Sequence, residues 1–264
     1  MPTTAINDIE DPRLADYQSL KKTNLTRYSK KFIVEGRTLV ERLLQSSFQV
    51  HSVVSTPAMY AGIKHLIDDE TVVFLVDKHL INGLVGFEFH RGALACAARK
   101  EATPILSLDR DEPSTIVVCP KIVDQTNLGG VIRSCAAFGV AAVVVGGRSA
   151  DPFSRRVVRV SMGTVFTLPI VQPDDLQHYL SQLKETHRYE LIATVLDSDA
   201  ELLPKSKRAT RTALLFGSEG YGLEEEWIAM SHRKVTLPMK LGTDSLNLST
   251  SCGVFLYHFM IQAS

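Results

Sequence analysis

Residues 115–147, TIVVCPKIVDQTNLGGVIRSCAAFGVAAVVVGG, decide the fold class. Thr115–Pro120 opens with four β-branched residues, Thr115 to Val118, a strand pattern. Leu128–Phe138 has helical spacing, and Ala141–Val145 is a second apolar strand that stops at Gly146-Gly147. The alternation continues downstream. Asp174–Thr186, Leu223–Met230 and Leu248–Ile261 read as helices, and Glu190–Val195, Thr212–Phe216 and Lys234–Leu237 as strands. Strands with no polar alternation, separated by helices, imply an α/β fold with a parallel sheet covered on both faces. Such sheets take ligands at the carboxyl ends of their strands.

Upstream, the same two signals recur in shorter pieces. Arg37–Leu44 reads as a helix and Val50–Val54 as a strand. A second helix starts at Pro57, with Ile63, Leu66 and Ile67 as its buried stripe. Thr71–Val76 and Gly92–Ala98 are further strands. Lys100–Pro113 holds two prolines among clustered charges and reads as a linker. The expected organisation is a smaller domain over residues 1–104 and a larger one over 105–264.

Composition narrows the function classes. The 264 residues are 45% hydrophobic and 22% charged, a globular balance. Lys+Arg and Asp+Glu both number 29, which speaks against coating nucleic acid through bulk charge and leaves room for local basic patches. The apolar runs Val140–Gly147 and Val254–Ile261 fall far short of the roughly 20 residues a membrane span needs. The polar, acidic start lacks the pattern of a signal peptide. Cys96, Cys119, Cys135 and Cys252 have no metal-site spacing and read as buried free thiols. The expectation is a cytoplasmic protein with no metal centre.

Three loops carry polar residues in unusual places. In the first, Asp124-Gln125-Thr126-Asn127-Leu128-Gly129-Gly130, Asn127 reads as the N-cap of the helix behind it, and the glycines suit close approach by a ligand. Arg133 follows within an otherwise apolar, small-residue helix, as a site residue or as a solvated face. The second, Gly217-Ser218-Glu219-Gly220-Tyr221-Gly222, has three glycines in six residues but matches neither nucleotide-binding glycine template. Glu219 reads as a site carboxylate or as the acidic start of the next helix. The third, Leu237 to Asn247, ends in Ser245-Leu246-Asn247 ahead of the last helix. Together the loops describe a pocket with few charges and many backbone donors.

Asn127-Leu128-Gly129-Gly130-Val131-Ile132-Arg133-Ser134 with Phe138-Gly139 resembles the first motif of the SpoU (TrmH-like) branch of the SPOUT RNA methyltransferases. Phe216-Gly217-Ser218-Glu219-Gly220-Tyr221-Gly222-Leu223 resembles the second motif, and Leu237-Pro238-Met239 with Ser245-Leu246-Asn247 the third. The likeness covers about residues 115–264. Phe32 to Val40 and Gly92–Ala95 resemble the accessory substrate-binding module of that family, an α/β domain related to a ribosomal-protein fold. Two departures stand out: Gln125-Thr126 where the family often has proline, and Cys252-Gly253 in a helix start that is usually alanine-rich.

The resemblance implies a deep trefoil knot in the larger domain and a homodimer with each active site near the subunit interface. It implies S-adenosylmethionine as cofactor, held by Val195, Leu196, Gly217, Ser218, Gly220, Leu237, Pro238, Met239, Ser245, Leu246 and Asn247. The reaction would be methylation of a ribose 2′-hydroxyl, of rRNA before tRNA, with Arg133, Asn127, Glu219, Ser245 and Asn247 as catalytic residues. Asn127 would orient Arg133 or the ribose, and Glu219 would fix the loop or Arg133. Arg133 as a base is costly, since a guanidinium stays protonated below a pKa of about 12; a clamp on phosphate or on developing oxyanion charge is the alternative. Two basic groups would hold RNA: Lys21, Lys22, Arg27, Lys30 and Lys31, and then Arg148, Arg155, Arg156 and Arg159. The competing readings are a tRNA methyltransferase, a non-catalytic RNA-binding or ribosome-assembly factor on the same scaffold, and methylation of a base nitrogen. A nicotinamide-dependent oxidoreductase is disfavoured by the missing G-x-G-x-x-G.

Overall fold

The computed structural model describes residues 2–18, 30–85, 92–100 and 113–261. The chain forms two compact units. The first takes Met1–Glu101 together with Phe153–Phe166, and the second Ala102–Pro152 with Thr167–Ser264. The boundary expected between 104 and 105 lies outside the described residues. Phe153–Phe166 falls in the C-terminal part of the expected division, but the structure gathers it with the N-terminal residues.

The first unit is a five-stranded mixed sheet. Its strands are β1 (Thr3–Ala5), β2 (Lys31–Glu35), β3 (Val50–Ser55), β4 (Val72–Leu75) and β5 (Ala93–Ala98), in the order β1-β4-β3-β5-β2. β1, β4 and β3 run parallel, while β5 is antiparallel to both β3 and β2. The helices α1 (Ala15–Gln18), α2 (Arg37–Leu44), α3 (Pro57–Ile63) and α4 (Lys78–Val85) complete it, together with α6 (Arg155–Val160) from the later segment. Thr56 caps α3, its hydroxyl accepting from Met59 N at 3.3 Å, with proline in the first turn.

Two sets of contacts explain why 153–166 belongs here. Phe153 and Phe166 join Phe32 and Phe48 in a four-ring cluster with centroids 5.0–6.0 Å apart. Arg155 and Arg159 close on the Glu35 carboxylate, which is only 5% exposed. A buried carboxylate needs such partners, because an unpaired charge there costs several kcal/mol.

The second unit is an all-parallel seven-stranded sheet in the order β10-β12-β9-β11-β6-β7-β8. The strands are β6 (Ser114–Cys119), β7 (Ala142–Val145), β8 (Ile170–Val171), β9 (Glu190–Thr194), β10 (Glu201–Leu202), β11 (Arg211–Leu215) and β12 (Arg233–Thr236). The parallel sheet expected from the unbroken apolar strands is present. The two-residue strands β8 and β10 were not foreseen, being too short to show a period. The helices are α5 (Gln125–Ala137), α7 (Leu176–Glu185), α8 (Glu225–Met230) and α9 (Leu248–Ile261). On one face, Val118, Val144, Leu191 and Leu215 pack with Leu180, Leu183 and Trp227. Among the described residues no helix is long and apolar enough to cross a membrane.

α9 packs on α5, and Gly130 makes that possible. A Cβ at Gly130 would sit 2.6 Å from the Cβ of Ser249. The glycine pair read as an approach path for a ligand is thus, at Gly130, a contact between helices.

All four cysteines are free and buried. Burial pushes the Cys119 and Cys135 thiols well up. Burial, with the Asp16 carboxylate beside it, raises Cys96 to about 12. The reactive form is the thiolate. An unfolded chain ionises its thiols near pH 8.5, roughly, whereas Cys96, Cys119 and Cys135 remain protonated through that range. Native protein is therefore expected to react with a thiol-specific reagent at mildly alkaline pH many times more slowly than urea-unfolded protein, measured as the rate of chromophore release. Equal rates would show that the thiols are open.

Candidate functional site

A cavity of about 750 Å³ lies beyond the carboxyl ends of β9, β11 and β12. These three strands are neighbours in the sheet, so their following loops share one edge. The loops run through residues 194–197, 217–223 and 237–248. Ten of the eleven residues assigned to the cofactor line this cavity: Val195, Leu196, Gly217, Ser218, Gly220, Leu237, Met239, Ser245, Leu246 and Asn247; Pro238 does not. Ligand pockets commonly enclose about 300–1,000 Å³.

The middle loop is shaped by its glycines. Ser218 and Gly222 exchange two backbone hydrogen bonds of 2.9 Å, closing a tight turn. Gly220 and Gly222 have φ of 85° and 68°, values that favour glycine. At Gly217 a Cβ would lie 2.0 Å from the carbonyl carbon of Gly222, so the turn excludes any side chain there.

Asn247 ties three parts of the unit together. Its Nδ2 donates to Asn127 Oδ1 at 2.9 Å and to Glu219 Oε1 at 2.7 Å. Its Oδ1 accepts from Ser249 N at 3.0 Å and Ser249 Oγ at 2.7 Å, which caps α9. Glu219 Oε1 also accepts from Leu248 N at 3.4 Å. One amide thus joins α5, the glycine loop and the start of α9. Glu219 fixes the loop to α9 and makes no bond to Arg133.

The first loop differs from its sequence reading. Asp124, not Asn127, caps α5, accepting from Asn127 N at 2.8 Å. The helix therefore starts two residues before Asn127, which is 6% exposed inside its first turn. Asp and Asn are equally good caps, so the sequence did not discriminate between them. Asn127 is freed for Asn247. Arg133 lies six residues on, about 9 Å along the helix and roughly 240° around it. It is exposed, lies off this cavity and is unpaired among the described residues. The structure brings Asn127, Glu219 and Asn247 together and keeps Arg133 apart. Ser245 is exposed at the cavity edge.

Sequence reasoning missed several lining residues. Asp197, Glu225, Lys234 and Asp244 also face the cavity, so that with Glu219 four carboxylates meet one ammonium. Lys234 pairs with Asp197, and this hydrogen bond holds the Asp197 carboxyl below its usual range. Asp197 follows a strand end as the named loop residues do, and that rule would have found it. Phe255, on α9, carried no such signal.

The basic groups are mostly committed. Lys21, Lys22 and Arg27 lie outside the described residues. Lys30 is exposed, and Lys31 pairs with Asp16 at 2.8 Å. Arg148 pairs with Glu224 at 2.6 Å and Glu226 at 3.3 Å. Arg155 and Arg159 hold Glu35, and Arg156 is exposed.

Residues 114–257 match the model of the SpoU rRNA Methylase family. An uncharacterized tRNA/rRNA methyltransferase of Mycobacterium bovis is 34% identical, over 95% of this chain and 89% of its own. The 23S rRNA (guanosine(2553)-2′-O)-methyltransferase RlmP of Bacillus subtilis is 25% identical, over 96% and 98%. In fold, the chain is similar to an AdoMet-bound rRNA methyltransferase of Sinorhizobium meliloti, with a TM-score of 0.86 at 22% identity, covering 97% of each chain. With the family model spanning more than half of the sequence and its three loops meeting at one sheet edge, the chain belongs to the SpoU rRNA Methylase family.

Proposed function

We propose that this chain transfers a methyl group from S-adenosylmethionine to a ribose 2′-hydroxyl, of rRNA in preference to tRNA. The observation that carries this reading is the Asn247 amide, which links the three motif loops beside a cavity of fitting size. The residues present suit the cofactor. The glycine turn brings backbone close, and Leu237, Met239 and Phe255 supply apolar lining. Val195, Leu196, Gly217, Ser218, Gly220, Leu237, Met239, Ser245, Leu246 and Asn247 would hold it, and when bound it supplies an electrophilic methyl group.

The chain's own residues then position and polarise. Asn247 keeps the loops in register, Glu219 fixes the glycine turn, Asn127 holds and orients the Asn247 amide, and Ser245 presents a polar group toward the ribose. Arg133 clamps phosphate or stabilises charge developing on the 2′-oxygen. Its exposure away from its own cavity supports a homodimer in which it serves a partner's site. Exposed Val254 and Tyr257 on α9 support the same reading, since apolar side chains there gain from being covered. The larger domain would carry a deep trefoil knot, as the resemblance to the family implies. Residues 1–104 would select the RNA, through Lys21, Lys22, Arg27, Lys30 and Lys31. Arg148, Arg155, Arg156 and Arg159 would meet its backbone, those in ion pairs by exchanging partners.

The test is transfer of labelled methyl from S-adenosylmethionine to separated rRNA and tRNA from cells lacking this protein. Label in rRNA, at one position resistant to alkali, is the expected result. Label in tRNA alone would reassign the substrate. No label in either, with the cofactor bound, would favour an assembly factor.

A further inference from the structure

Tyr221 sits at the tip of the glycine turn, 92% exposed, and lines the cavity. It belongs neither to the Asn247 network nor to the residues proposed for the cofactor. Its backbone neighbours Gly220 and Gly222 are both in left-handed conformations, and the paired bonds between Ser218 and Gly222 hold the turn closed. The turn is in turn anchored through Glu219 to Asn247. A large aromatic ring is thereby held out in solvent on a braced support, at the mouth of the cavity.

The charge around it selects what meets that ring. Asp197, Glu219, Glu225 and Asp244 outnumber Lys234, which is already paired. A phosphate brought to this mouth meets repulsion. The uncharged face of a nucleobase does not, and stacking on an exposed aromatic is how proteins hold unpaired bases. We infer that Tyr221 is a stacking platform for an unpaired base of the RNA substrate, at or next to the ribose that is methylated. This rests on the RNA methyl-transfer reading above. It adds that the base meets this acidic edge, while the flanking phosphates face cationic groups supplied from outside it, Arg133 among them.

The test uses the full chain with a short oligoadenylate and with a ribose–phosphate chain of equal length lacking bases, each titrated by fluorescence anisotropy at low salt. Tyr221→Ala is expected to weaken oligoadenylate binding by about tenfold. It should leave the abasic chain unchanged, and leave S-adenosylmethionine affinity, read by calorimetry, unchanged. Tyr221→Phe keeps the ring face and should bind as the unmodified protein does. At 92% exposure neither substitution disturbs packing. Unchanged oligoadenylate affinity in Tyr221→Ala would overturn the inference. So would an equal loss for the abasic chain, a loss of cofactor affinity, or a change of oligomeric state by sedimentation, which would assign the ring to the cofactor or to a second copy of the chain. If the unmodified protein binds oligoadenylate through Tyr221 but takes no S-adenosylmethionine, the methyl-transfer reading fails and the platform stands.

Discussion

Arg133→Ala is expected to lower the methyl-transfer rate by about a hundred- to a thousandfold, the usual cost of removing a group that stabilises a developing oxyanion. S-adenosylmethionine affinity should hold, because Arg133 lies off the cavity. Stability should hold too, because the side chain is exposed and, among the described residues, unpaired. Arg133→Lys retains the charge but loses the planar fork, and an intermediate rate is expected. Single-turnover kinetics with saturating cofactor separates these effects. Full activity in Arg133→Ala would remove the residue from the mechanism. If Arg133 serves a partner's site, mixing Arg133→Ala with a chain disabled in its own cavity should restore part of the activity.

The second large effect is expected for Asn247→Ala. It removes the cap of α9, worth about 1 kcal/mol. It also leaves the buried Asn127 Oδ1 without its donor, a cost of about 1–3 kcal/mol. Members of one network do not add simply, so a total of about 2–4 kcal/mol in urea unfolding is an upper range. With the loops unlinked, cofactor affinity should fall at least about tenfold. Asn247→Asp separates the two roles. Aspartate caps as well as asparagine, but it sets a carboxylate against Glu219 and cannot donate to Asn127. It should keep only the cap's share of the stability, about 1 kcal/mol, and still weaken cofactor binding. Unchanged affinity in both variants would count against the cavity as the cofactor site.

What could be read from the sequence follows from the length scale of each signal. The strands Thr115–Pro120 and Ala141–Val145 announce themselves by unbroken apolar runs, and the structure has β6 and β7 there. The two-residue strands β8 and β10 carry no period to read. The glycine turn was legible because three glycines in six residues leave few alternatives. The cap of α5 was not, because Asp124 and Asn127 offer the same chemistry three residues apart and only the fold decides between them. The commitments of the arginines were hidden for the same reason. Arg155 and Arg159 look like an open basic run until Glu35, 120 residues earlier in the chain, is placed between them. That pairing is a long-range fact with no local trace.

The membership of Phe153–Phe166 in the first unit bears on how this protein can be divided. The polypeptide leaves that unit, returns to it and leaves again. A fragment starting after the expected linker would carry Phe153, Phe166, Arg155 and Arg159 stripped of Phe32, Phe48 and Glu35. It would show a sticky aromatic surface beside uncompensated positive charge, a combination that invites aggregation and indiscriminate adhesion to nucleic acid. Recombining the two halves among relatives would face the same obstacle: a foreign N-terminal half would have to supply its own aromatic socket and its own acidic latch. The two parts of the chain are thus bound to evolve as a matched pair.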